Sequence, residues 1–174
     1  MIIKVHARNI DPMLRDALRT MTQFTLEHLI ESKHTLNSLK INIHLRHHDE
    51  NGEVRPSKLA NKYAPRAFDI YLDHHRMVHD DYKRVRDDTE WGHEVLRTLG
   101  HELVHVRDYV SGLLSWKNDL LYYKGTHYDC DNLNDYFDLP YEIEAYGRER
   151  GLLVRFLYYW QTLPQVQEYE MDVK

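Results

Sequence analysis

His101-Glu102-Leu103-Val104-His105 is the stretch on which the reading of this chain turns. Its neighbours determine its conformation. Val95, Leu99, Leu103, Val106 and Val110 recur at three- and four-residue intervals, which predicts one long amphipathic helix over residues 88–114. Gly112 is a stop signal near its end. On such a helix His101 and His105 project from one face, one turn apart. Leu99, Leu103, Val104 and Val106 make the surroundings apolar, so both imidazoles face a buried surface. Two buried polar rings destabilise a fold unless a metal or other partners satisfy them.

Outward from this helix the pattern changes period. Toward the N-terminus, Leu14, Leu18, Met21, Leu26, Leu29 and Ile30 predict a helix over residues 12–31, with Asp11-Pro12 as cap and first-turn proline. Leu39, Ile41, Ile43 and Leu45 alternate with polar residues and predict a half-buried strand. Phe68, Ile70 and Leu72 alternate with Asp69, Tyr71 and Asp73 in a second strand, and Ile2–His6 fits a third, short one. Residues 46–65 are polar and contain Asn51-Gly52, a turn signal. Residues 77–87 read as a charged loop or short helix. Toward the C-terminus, residues 115–138 read as mostly irregular, with a hairpin around Gly125. A last helix opens at Leu139-Pro140 and runs toward Leu163, before Pro164. The order predicts an α+β fold, and residues 1–174 read as one domain without repeats or linkers.

The spacing of the two histidines allows both to bind one zinc ion at ~2.0–2.1 Å each. Glu102 then points toward the open coordination position, where it can take a proton from water and later deliver it to a leaving amine. A catalytic zinc normally has three protein ligands. The run Asp138-Leu-Pro-Tyr-Glu-Ile-Glu-Ala-Tyr-Gly147 places two carboxylates, Glu142 and Glu144, near the start of the last helix. They are two residues apart, so only one can face a metal held by His101 and His105.

His-Glu-x-x-His followed tens of residues later by a helical Glu-x-Glu-Ala resembles the gluzincin group of zinc metallopeptidases. The resemblance implies a zincin-like fold: a small antiparallel or mixed sheet, an active-site helix and a C-terminal ligand helix. It implies zinc as cofactor, Glu142 as third ligand, Ala145 as the small residue that lets the helices approach, and Glu102 as general base. Tyr146 stands where many gluzincins have an aspartate or asparagine supporting a ligand histidine, so Asp108 and Tyr146 are the candidates for that support. Residues 68–155 are similar to a group of short metallopeptidase-like proteins of bacteriophages and some bacteria. This implies peptide-bond hydrolysis of a protein or peptide substrate, in a cytoplasm, which is the host's where the gene is phage-borne. The strand at residues 68–73 is then expected to lie along the cleft and pair with substrate. Two alternatives stand beside it. One is a catalytically silent zinc-binding accessory protein. The other is a nucleic-acid-associated protease similar to the SprT-like proteins, although this chain lacks their zinc ribbon.

Composition narrows the choices. The formal net charge of −5 gives no global basic signal for nucleic acid or anionic membrane. Cys130 is the one cysteine, so no intrachain disulfide and no thiolate zinc cluster can form, and a role as nucleophile is not expected. The start shows no signal-peptide core, and no apolar run approaches the ~18 residues of a membrane span. His44, His47 and His48, and His74, His75 and His79, form two further clusters without carboxylates at helical spacing, and read as solvated loop histidines. Tyr109, His127, Tyr128, Tyr136, Tyr141 and Tyr146 are candidate donors to an oxyanion.

Overall fold

The computed structural model describes residues 1–58, 60–61, 64–79, 82–118, 120–129, 133–164 and 166. The elements run β1 (Ile2–His6), α1 (Pro12–Leu29), α2 (Lys33–Ser38), β2 (Lys40–Leu45), β3 (Gly52–Pro56), β4 (Ala67–Leu72), a 3-10 turn (Arg76–Val78) and α3 (Asp88–Ser111). Then come β5 (Leu114–Lys117), β6 (Leu120–Tyr123), β7 (Thr126–His127), α4 (Leu133–Phe137) and α5 (Pro140–Trp160). The fold is α+β with a mixed sheet, as the sequence predicts.

The helix ends are set by local chemistry. Asp11 accepts from the backbone N–H of Met13 and Leu14, and Pro12 opens α1. A reciprocal pair, Asp87 with Glu90, caps the start of α3. Gly112, at φ 74°, ends α3 at Ser111, three residues before the predicted limit. Helix α5 opens at Pro140 and stops at Trp160 rather than Leu163.

The main sheet has the order β1-β2-β4-β3, with β1, β2 and β4 parallel and β3 antiparallel to β4. The alternating residues Ile41, Ile43, Leu45, Phe68, Ile70 and Leu72 bury one face, against which α1 and α3 pack. Leu18, Met21 and Leu26 of α1, Leu99, Leu103 and Val106 of α3 and Phe156 of α5 complete that core.

Three expectations are corrected here. Residues 46–65 contain β3, whose sequence Gly-Glu-Val-Arg-Pro has a single apolar side chain, Val54, and so no readable period. Because β3 takes the outer place, β4 lies between β2 and β3, and both its edges are hydrogen-bonded. Residues 68–73 therefore cannot pair with a further chain; the edge on that side belongs to β3. Residues 115–138 are also more ordered than expected, holding the antiparallel sheet β5-β6-β7 and α4. The expected hairpin is the β6–β7 turn, with Lys124 and Gly125 at positive φ. Cys130 lies outside the described residues. No helix among the described residues is long and apolar enough to cross a membrane.

Asp73, fully buried at the end of β4, ties the two loops beside the sheet. Its carboxylate accepts backbone N–H groups from His48, His75 and Arg76, and His47 Nδ1 lies 2.8 Å away. These hydrogen bonds hold its pKa below the usual carboxylate range despite the opposing effect of burial. Asp73→Ala should lower unfolding stability by about 3 kcal/mol, measured by urea denaturation at neutral pH, because it leaves three N–H groups without their acceptor.

Candidate metal centre

The site forms where α3 crosses α5. A Cβ at Gly100 would lie 3.7 Å from the backbone oxygen of Glu149 and 3.8 Å from Leu152 Cβ, so the helix backbones are close there. One turn on, fully buried Ala145 packs with Val104 and Leu152. This approach brings Glu142 of α5 over the histidine face of α3. His101 Nε2 is 3.1 Å from Glu142 Oε2, His105 Nε2 is 3.4 Å from Glu142 Oε1, and the two Nε2 atoms are 3.2 Å apart. The two distances to Glu142 run to its two different oxygens, so the carboxylate spans both imidazoles at distances compatible with a shared metal ion. Among the described residues, His101, His105 and Glu142 are the group whose ligand atoms converge within 4.8 Å. Glu144 faces away, pairing with Arg107 at 3.2 Å and Arg148 at 2.7 Å.

The surrounding groups differ from those expected. Tyr146 meets His101 ring edge to face, with centroids 4.6 Å apart. Asp108 is fully buried and pairs with Arg107 at 2.7 Å, and among the described residues neither of its oxygens hydrogen-bonds a histidine. Instead Glu149 Oε2 lies 3.1 Å from His101 Nδ1. Nothing in the sequence marks Glu149: Arg148-Glu149-Arg150 reads as solvated charge, and only its spacing of seven from Glu142, two helical turns, hints at a shared face. His105 Nδ1 is buried with no hydrogen-bond partner.

Burial and charge work against each other here. Burial lowers the pKa of His101, but the carboxylates of Glu142 and Glu149 outweigh it and raise the value to about 9. Burial raises Glu142, yet hydrogen bonds to His101 and His105 bring it down to about 2. Glu102 goes the other way. Burial pushes it up to about 7, only partly offset by His105 and His101.

Glu102 lies against the sheet edge. A Cβ at Gly52, the first residue of β3, would sit 2.6 Å from Glu102 Oε1 and 2.6 Å from Thr98 Cγ2. Only glycine fits that contact without displacing them. A cleft of about 940 Å³ opens over the three converging side chains and Glu102. Glu50, Gly52 and Glu53 form one wall and Leu114, Trp116 and Leu121 the other. Of the candidate oxyanion donors, Tyr109, Tyr136, Tyr141 and Tyr146 line the cleft, whereas His127 and Tyr128 do not. Tyr136 hydrogen-bonds Glu142, and Tyr109 accepts from Trp116 Nε1 at 3.0 Å.

In the two other histidine clusters His47, His75 and His79 are exposed, as expected, whereas His44, His48 and His74 are half-buried and packed against neighbours. His44 is 3.3 Å from Asp69 and His48 is 3.1 Å from Glu53, both stacked on Tyr71. His74 packs on His75 and Trp91. Neither cluster converges on a metal-sized point among the described residues.

Compared with protein-family models, curated proteins and solved structures, the chain matches none of them.

A metal must displace the proton that His101 holds up to pH about 9. The affinity for a divalent metal should therefore rise by about tenfold per pH unit between pH 6.5 and 9. Calorimetry in buffers of different ionisation enthalpy should register the released proton. In the metal-free protein the sign reverses. His101 stabilises the fold fully below its ordinary 6.5, and that contribution is lost as pH rises through about 9.

Proposed function

We propose that this chain is a zinc-dependent hydrolase of peptide bonds with a zincin-like arrangement. The observation that carries the reading is the convergence of His101 Nε2, His105 Nε2 and the Glu142 carboxylate within 4.8 Å, with Glu102 beside them on the same cleft. Two imidazoles and one carboxylate are a donor set suited to zinc with a position left open. When bound, zinc supplies Lewis acidity, which activates water and polarises a carbonyl.

The chain's own residues supply the remaining parts. Glu102, poised at about 7, suits proton transfer near neutral pH. It takes a proton from the attacking water and returns it to the leaving amine. Gly52, having no side chain, leaves the space in which that carboxylate lies against the edge strand. Tyr109, Tyr136, Tyr141 and Tyr146 present the hydroxyls from which an oxyanion donor is drawn. The cleft runs between β3 and the β5–β6 sheet, and an extended chain can align with the free edge of β3. The accessory-protein alternative predicts the same metal without turnover.

Glu102→Gln should keep zinc stoichiometry and lower the cleavage of a peptide library by at least about 100-fold, with a chelator abolishing the wild-type activity. Full activity in that variant would sink the mechanism, and no activity in the zinc-loaded wild type would favour the silent protein. Gly52→Ala should lower turnover by about 10-fold or more while zinc affinity stays within a few-fold of wild type, because the new methyl group meets Glu102 and not the ligands.

A further inference from the structure

We propose that Glu149, held in place by Arg97, is a positioning residue that locks His101 in its metal-binding tautomer and sets the metal affinity of the whole site. The inference rests on the metal-centre reading above. Glu149 is buried, and its two oxygens have separate tasks. Oε2 lies 3.1 Å from His101 Nδ1 and Oε1 lies 2.8 Å from an Arg97 terminal nitrogen. A carboxylate only accepts hydrogen bonds, so Nδ1 is the donor. Without a metal Nε2 likewise donates to Glu142; once a metal replaces that proton, Nδ1–H stays on Glu149 and the Nε2 lone pair points to the place between Glu142 and His105.

Arg97 is fixed in turn. It pairs with Glu94 one turn back on α3, and Glu94 is 3.7 Å from Arg86. The chain Arg86, Glu94, Arg97, Glu149, His101 therefore reaches from the loop before α3 to the inner face of α5. Its counterpart is missing on the other side. Among the described residues His105 Nδ1 has no hydrogen-bond partner, and buried Asp108 pairs with Arg107 rather than with that ring. His101 is thus the one ligand imidazole clamped through its far nitrogen, and its orientation depends on Glu149. Tyr146 touches the same ring only by an aromatic contact.

The test is zinc affinity, by competition with a chromogenic chelator, on the full-length wild type, Glu149→Gln, Glu149→Leu and Arg97→Met. Glu144→Gln, which alters a carboxylate outside the site, is the control. Glu149→Leu should weaken zinc binding by about 10–100-fold. Glu149→Gln keeps the shape and an acceptor oxygen, so it should recover most of that loss and stay a few-fold weaker than wild type. Arg97→Met, at a half-exposed position, should weaken binding a few-fold with the fold intact. Visible spectra of the cobalt-substituted forms should shift in Glu149→Leu and Arg97→Met but not in the control. A purely structural Glu149 would lower the melting temperature yet leave affinity and cobalt bands unchanged, and that result overturns the proposal. If Glu149→Leu fails to fold, the Gln and Met variants decide: wild-type affinity and spectra in both overturn it. A wild type that binds no zinc overturns the metal-centre reading itself, which separates the two failures.

Discussion

Everything at this site depends on how closely α3 and α5 approach. The contact contains two residues without bulk, Gly100 on one helix and Ala145 on the other, at the level of the histidines. Larger side chains there would push the axes apart, since interaxial distance follows the side chains at the contact. Glu142 and Glu149 reach the histidines only because α5 lies this close. The surrounding apolar packing of Val104, Leu152 and Phe156 drives the association, and the polar groups are carried in with it.

That burial has an electrostatic consequence. Two Nε2 atoms 3.2 Å apart, with one Glu142 oxygen 3.1 Å from the first and the other 3.4 Å from the second, place three electron-rich groups close together. Such an arrangement is unfavourable in a low-dielectric interior unless a cation sits among them. A proton on His101 can serve, which is why its value climbs to about 9. A metal ion serves all three groups at once. Glu102, on the same cleft but one step removed from those groups, experiences mainly burial and is pushed up to about 7. Neighbouring carboxylates are thus driven in opposite directions, the arrangement acid–base chemistry requires.

The parts legible in the sequence were those with a period or a fixed spacing. The stripe through Val95, Leu99 and Leu103 announces α3, and strict alternation announces β2 and β4. His101, Glu102 and His105 are readable because helical geometry converts spacing into direction. Glu142 is distinguished from Glu144 only by resemblance in sequence, whereas in space one converges on the histidines and the other pairs with Arg107. What could not be read is non-local or aperiodic. Strand β3 has one buried apolar residue and takes its place by pairing with β4. Glu149 acquires its role from a helix crossing that joins positions 48 residues apart.

The missed strand changes how the site is built. With β3 at the sheet edge, the wall of the cleft and the support for Glu102 are one element, joined at Gly52. The carboxylate oxygen sits where any side chain at that position would project. A residue there with a Cβ would force one of three responses: rotation of Glu102, a shift of Thr98, or a retreat of the strand. The first disturbs the proton-transfer group. The third moves the edge that an extended chain would use. Position 52 therefore couples the orientation of Glu102 to the position of the edge strand, and glycine is the residue that leaves both undisturbed. Asn51-Gly52 looks like ordinary turn chemistry in sequence, yet the glycine serves the close approach rather than a left-handed backbone, since its φ is not positive.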